Sequence, residues 1–251
     1  MLIAQISDIH AAADNDNLSR LDRALAWLDR IASDVLVLTG DLIDNGEIEG
    51  YSAIAARLAT RPYPAFILPW NSDDRTAMRT VLNARYLTDG GKGPLHFTVD
   101  FRELRLIGLD TTVEGTAAGQ VAEHLPWLRD ALSAKGPAAS LLLLHHHVFE
   151  CGIEPMDRIM CGGSAALGTL LRDHPRRPLA LATGHAHRPA AGTLAGIPAY
   201  LSGSICPANP LWLGSPTIPR GRSPRADDPP PGKRLPGESL YCRLIPPPRS
   251  V

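Results

Sequence analysis

Cysteine is scarce in this chain. Cys151, Cys161, Cys206 and Cys242 are scattered through 251 residues, and no two form a Cys-x-x-Cys pair. That spacing argues against a thiolate zinc knot, and four dispersed thiols in so long a chain read as free and buried. A dominant charge is also lacking. The net charge is -1, so no basic field invites a nucleic-acid polymer or an anionic membrane. No apolar run approaches the roughly 20 residues of a membrane span. The first residues carry no basic region, long apolar region or cleavage site, so no signal peptide is expected. A cytoplasmic, reducing setting follows.

What is present suits one sizeable α/β domain. Hydrophobic residues make up 44%, enough for a substantial core. The 23 prolines crowd toward the C-terminus, and five of the nine histidines fall in two clusters. Apolar runs near residues 1–6, 35–38, 65–68, 140–144 and 179–183 read as strands buried on both faces. Helical spacing of apolar residues marks 20–32, with Ser19 as its cap, then 50–60 and 74–82. Residues 95–101 and 104–109 alternate as a hairpin, and a further helix starts at 119 or 121 and runs to 132. Residues 152–163 read as a loop, 165–174 as a helix, and 193–197 and 199–202 as short strands of a second sheet. Residues 214–238 are rich in Pro, Arg, Gly and Ser and read as a long loop, with 240–245 as a final edge strand. The expected organisation is a main domain over 1–213, with 214–251 packed on it.

Chemistry collects at the strand ends. The first strand delivers Asp8 and His10, two positions apart and so on one face. The others deliver Asp41 after Gly40, Asn71, then His145-His146-His147, and Gly184-His185-Ala186-His187. Parallel β-α-β connections place such ends on one sheet edge, where open α/β folds bind ligands. Asp8, His10, Asp41, Asn71, His145, His185 and His187 offer only oxygen and nitrogen donors, too many for one ion. Two divalent ions (Mn, Fe or Zn) roughly 3.5–4 Å apart would use them and would activate a hydroxide against a phosphoryl group.

Asp8-Ile9-His10, Gly40-Asp41, Asn71, His145-His146 and Gly184-His185-Ala186-His187 together resemble the calcineurin-like metallophosphoesterases. The motifs run from residue 8 to residue 187. Phe149, Gly152-Ile153 and Met156-Asp157 are similar to the branch holding the class III cyclic-nucleotide phosphodiesterases and glycerophosphodiesterases. The resemblance implies a two-sheet αββα sandwich. It implies Asp8, His10 and His187 on one metal, Asn71, His145 and His185 on the other, and Asp41 as bridge. Two departures stand out. Trp70-Asn71-Ser72 replaces Gly-Asn-His, so the histidine that would protonate the leaving group is Ser72. His147-Val148 replaces Pro-Pro, leaving His146 and His147 beside a ligand.

The resulting expectation is a binuclear hydrolase of small phosphodiesters, such as 3′,5′-cAMP or a glycerophosphodiester, attacking in line through a bridging hydroxide. His146 and Ser72 are the candidate catalytic groups, and Asn71, Asp157 and Trp70 the candidate substrate contacts. His146 or His147 is expected to replace the lost acid in part, with the orienting of a ligand as the competing reading of His146. The alternatives are a phosphomonoesterase or nucleotide pyrophosphatase on the same site, and a metal-binding sensor weakened by Ser72. No nucleic-acid polymer or membrane partner is expected; a homodimer stays open.

Overall fold

The computed structural model describes residues 1–70, 72–86, 93–209 and 241–242. In chain order the first half comprises β1 (Ile3–Ile6), α1 (Asn17–Arg30), β2 (Val35–Thr39), α2 (Glu49–Ala59), β3 (Ala65–Leu68) and α3 (Arg75–Tyr86). The second half comprises β4 (Phe97–Phe101), β5 (Leu104–Gly108), β6 (Gly119–Gln120), α4 (Leu125–Ser133), β7 (Ala139–Leu143), α5 (Glu154–Asp157), β8 (Cys161–Gly162), α6 (Ser164–Asp173), β9 (Ala180–Thr183), β10 (Ala190–Leu194) and β11 (Ile197–Leu201). The last described element, β12 (Tyr241–Cys242), returns to pair antiparallel with β1.

Two sheets carry the molecule. One has the order β12-β1-β2-β3, with β1, β2 and β3 parallel. The other has the order β10-β11-β9-β7-β5-β4, with a parallel centre and antiparallel edges. Strand alternation divides the apolar residues. Ile3, Val35, Val37 and Leu68 face Leu106, Leu141, Leu143 and Ala180 between the sheets. Ala4, Ile6, Leu36 and Leu38 face outward under α1, α2 and α3. Ile107, Leu142 and Leu181 do the same under α4 and α6. The result is the expected αββα sandwich, with each sheet buried on both faces. Polar contacts also bridge the layers: the Gln5 amide donates to Thr39 Oγ1 and to the Thr183 carbonyl, both at 2.9 Å.

Several boundaries differ from the sequence reading. α1 starts at Asn17, so Ser19 lies within it and is not its cap; Asp16 precedes the first turn, and Ala32, with φ of 52°, terminates the chain's helical course. The helix expected from 119 or 121 is split into β6, a 3₁₀ turn over Ala122–His124, and α4. Pro126 lacks an N–H and fits only the first turn, so the α-helix begins beside it. The loop 152–163 contains α5 and β8, and β8 pairs parallel with β6. β10 and β11 are five-residue strands of one hairpin because Ala195 and Gly196, with φ of 51° and 80°, form its turn. Loop 214–238, the boundary at 213/214 and residues 240 and 243–245 lie outside the described residues. No helix among the described residues is long and apolar enough to cross a membrane.

Candidate metal centre

The parallel strands β1, β2, β7 and β9 end on one edge, and each hands its next residues to the same place. Asp8, His10, Asp41, His185 and His187 all take left-handed backbone conformations, with φ of 56°, 51°, 54°, 76° and 55°. None is glycine, so each costs of order 1–3 kcal/mol that surrounding structure must offset. The offset is visible in hydrogen bonds. The Asp8 N–H donates to the Gly40 carbonyl at 3.1 Å, the His10 N–H to the Asp41 carbonyl at 2.9 Å, and the His185 N–H to the Asp8 carboxylate at 3.1 Å. Two glycines make room. A Cβ on Gly184 would lie 1.8 Å from Ser7 Oγ, and one on Gly40 would lie 2.7 Å from His145 Nδ1.

The side chains form two facing imidazole pairs. His10 Nε2 lies 3.2 Å from His187 Nε2, and His145 Nε2 lies 3.2 Å from His185 Nδ1. Carboxylates sit between the pairs. Asp41 Oδ2 is 3.0 Å from His10 Nε2 and 3.8 Å from His145 Nε2. Asp8 Oδ1 is 3.3 Å from His187 Nε2 and 3.9 Å from His145 Nε2. Asp8, Asp41, His145 and His185 are almost wholly buried.

The outer ring nitrogens fix what the inner ones can do. His145 Nδ1 donates to the Thr39 carbonyl at 2.6 Å, and His185 Nε2 donates to the Ile159 carbonyl at 3.1 Å. Carbonyls only accept, so in the neutral rings the protons sit outside and two lone pairs meet 3.2 Å apart. Burial pulls both histidines below the ordinary imidazole pKa, which keeps them in this ligating form. His10 Nδ1 is held by Asp44 Oδ1 at 2.7 Å, and His187 Nδ1 lies 3.3 Å from Cys206 Sγ. Burial opposes charge on His10, yet Asp41 and Asp44 outweigh it and push its pKa up to about 12. Asp41 Oδ2 is buried, with His10 Nε2 at 3.0 Å as its ion-pair neighbour and no other hydrogen-bond donor on it among the described residues. Opposed lone pairs and a buried carboxylate oxygen at one point are a donor set that divalent cations fit.

The remaining candidates are placed as follows. Asn71 lies outside the described residues. Ser72 Oγ donates to Asp41 Oδ1 at 2.5 Å, so its hydroxyl is committed to the carboxylate. The Trp70 indole lies 4.6 Å from the His145 ring and 4.9 Å from the His185 ring, centroid to centroid, and its Nε1–H donates to His146 Nε2 at 2.5 Å. His146 is fully buried and its Nδ1–H meets Thr111 Oγ1 at 2.7 Å, so both ring nitrogens are engaged. Asp157 accepts the Cys151 and Gly152 N–H groups at 2.8 and 3.0 Å and faces His147 Nε2 at 3.2 Å, tying the loop after β7 to its strand. Asp110 is buried and held by Arg75 at 2.8 Å. Sequence reasoning missed the outer partners Asp44 and Cys206. Asp44 stands three residues after Asp41 and was open to discovery; the two backbone carbonyls carry no sequence signal.

Known proteins are similar to this chain in sequence and fold. The chain is 32% identical over 218 residues to a cAMP/cGMP dual specificity phosphodiesterase of Mycobacterium tuberculosis, covering 82% of this chain and 65% of that one. It is 27% identical over 187 residues to a glycerophosphodiester phosphodiesterase of Enterobacter lignolyticus, covering 70% and 67%. A dimetal phosphatase from Danio rerio shares the fold at a TM-score of 0.67 and 15% identity, over 82% of this chain and 88% of that one. The model of the calcineurin-like phosphoesterases matches residues 1–189, which hold every candidate ligand. On this match and on the two facing imidazole pairs with their shared carboxylates, the chain belongs to the calcineurin-like phosphoesterase family.

Proposed function

We propose that this chain hydrolyses small phosphodiesters, with a cyclic nucleotide or a glycerophosphodiester as its substrate class. The observation that carries the reading is Asp41 Oδ2, a buried carboxylate oxygen lying between the two imidazole pairs, 3.0 Å from His10 Nε2 and 3.8 Å from His145 Nε2. Asp8, His10 and His187 would hold one divalent ion, His145, His185 and Asn71 would hold the other, and Asp41 would serve both. Ions in such a pair polarise phosphoryl oxygens and bring the pKa of bound water toward neutrality. The relatives named for cAMP/cGMP and glycerophosphodiester hydrolysis support the substrate class.

The chain's own residues then divide the remaining work. Ser72 fixes Asp41 Oδ1 and so leaves Oδ2 turned inward. His146 positions Trp70, and Trp70 walls one side of the His145–His185 pair. Neither Ser72 nor His146 has a free proton for a leaving alkoxide, because Ser72 donates to Asp41 and His146 Nδ1–H to Thr111. Turnover therefore depends steeply on how good the leaving group is. This same feature favours one second reading, a metal-binding sensor that binds a nucleotide and turns it over feebly.

The test compares an aryl phosphodiester with its monoester, using metal-stripped protein and added Mn²⁺. Faster metal-dependent cleavage of the diester supports the first reading. Faster cleavage of the monoester sinks it in favour of a phosphomonoesterase. Tight nucleotide binding with no turnover of either ester selects the sensor.

A further inference from the structure

We infer that Cys206 is a positioning residue for the first ion: its sulfur accepts the Nδ1–H of His187 and so presents the ring's Nε2 as a ligand. The inference rests on the reading of Asp8, His10, Asp41 and His187 as holders of that ion.

Cys206 is 7% exposed and sits where the chain after β11 crosses the end of β1. Its backbone is fixed there. The Ile205 N–H donates to the Ser7 carbonyl at 3.1 Å, and the Cys206 N–H donates to the Asp8 carbonyl at 3.0 Å. Its Sγ lies 3.3 Å from His187 Nδ1. One residue thus grips Asp8 by its backbone and His187 by its side chain, and those two ligands meet at 3.3 Å.

The proton count sets the direction. A thiol has one proton, and Cys206 S–H donates it to the Pro207 carbonyl at 3.6 Å. Its sulfur can then only accept, which requires the proton of a neutral His187 to sit on Nδ1. Nε2 is left with a lone pair, 3.2 Å from His10 Nε2 and 3.3 Å from Asp8 Oδ1. His10, His145 and His185 are oriented by oxygens of Asp44, Thr39 and Ile159. Among these four rings His187 alone leans on sulfur, a weak acceptor, so its orientation is the most open to change.

The experiment is calorimetric titration of metal-stripped protein with Mn²⁺, for the natural chain, Cys206→Ala and Cys206→Ser. Mn²⁺ has little taste for sulfur, so the readout reports ring orientation. Loss of an outer partner typically weakens metal binding about 10–100-fold. Cys206→Ala is expected to weaken one equivalent by that factor and leave the other unchanged, while Cys206→Ser restores it to within a few-fold. Metal-free melting temperatures of the three proteins are expected to agree, which separates positioning from general packing. Wild-type affinity for both equivalents in Cys206→Ala would overturn the inference alone. A larger loss with Cd²⁺ than with Mn²⁺, not rescued by Ser, would overturn it in favour of sulfur as a direct ligand. No Mn²⁺ binding by the natural chain would instead overturn the metal-centre reading beneath it.

Discussion

At the scale of the residue, Ser72 is the most informative position. Its hydroxyl is spent on Asp41 Oδ1, and a serine is in any case a poor acid near neutrality. A positioned general acid is worth typically 10²–10⁴-fold. Ser72→His is therefore expected to raise the rate on alkyl diesters by about 10²-fold or more, and to change activated aryl diesters little. Steady-state rates over a series of leaving groups check this; a uniform change across the series would contradict it. His146 makes a second prediction. It accepts the Trp70 indole N–H and donates to Thr111, so His146→Leu leaves the buried Thr111 hydroxyl and the indole N–H without this partner. We expect His146→Leu to destabilise the protein by about 1–3 kcal/mol and to raise KM more than it lowers kcat. An unshifted denaturation midpoint with kcat abolished would instead mark His146 as the missing acid.

At the scale of the element, the start of α3 is clamped to the end of β5. Arg75 donates two bonds to Asp110 at 2.8 and 3.1 Å and a third to the Thr112 carbonyl at 2.9 Å, while the Leu95 and Thr112 N–H groups also reach Asp110. Burial works against the Asp110 charge, but Arg75 and the backbone N–H groups outweigh it and hold the carboxyl below the usual range. A depressed folded pKa contributes stability above the unfolded value of about 3.9 and loses it as pH falls through the folded value. Arg75→Met leaves a buried carboxylate without its cation and is expected to cost about 3 kcal/mol near neutral pH. Its acid-unfolding midpoint, followed by circular dichroism, should move to higher pH; a midpoint at the natural value would show that the backbone N–H groups suffice.

The strands that carry the site were legible because each is a continuous apolar run ending in a polar cluster. Ala65–Leu68 was read to the residue. Helix starts were less legible. Local hydrogen bonds by Asn15 and Asn17 draw α1 back to Asn17, a choice that apolar spacing does not reveal. The ligand candidates were legible as types and spacing, whereas their orienting partners were not. Thr39 and Ile159 act through carbonyls, which every residue has, and Cys206 is a lone thiol far along the chain.

At the scale of the whole molecule, the site is the seam of the sandwich. β1 and β2 belong to one sheet and β7 and β9 to the other, so the candidate ligand set closes only when the two sheets pack. Ion binding there would be linked to sheet packing, since the unfolded chain has no such site. Mn²⁺ at about 100 times its dissociation constant should add about 2.7 kcal/mol per site, raising the melting temperature of metal-stripped protein by several degrees. Reversal by a chelator checks the linkage. Leu142, fully buried under α4 and α6, provides a control. Leu142→Ala should cost about 2–5 kcal/mol with and without metal alike.

We propose that two ions lie between the sheets and that phosphodiester cleavage needs both. Titrating Mn²⁺ into metal-stripped protein, while following bound ion and aryl phosphodiester turnover together, tests it most directly. Two equivalents per chain, with turnover rising alongside the second, is the predicted result. A single equivalent, or turnover that survives complete metal removal, would contradict it.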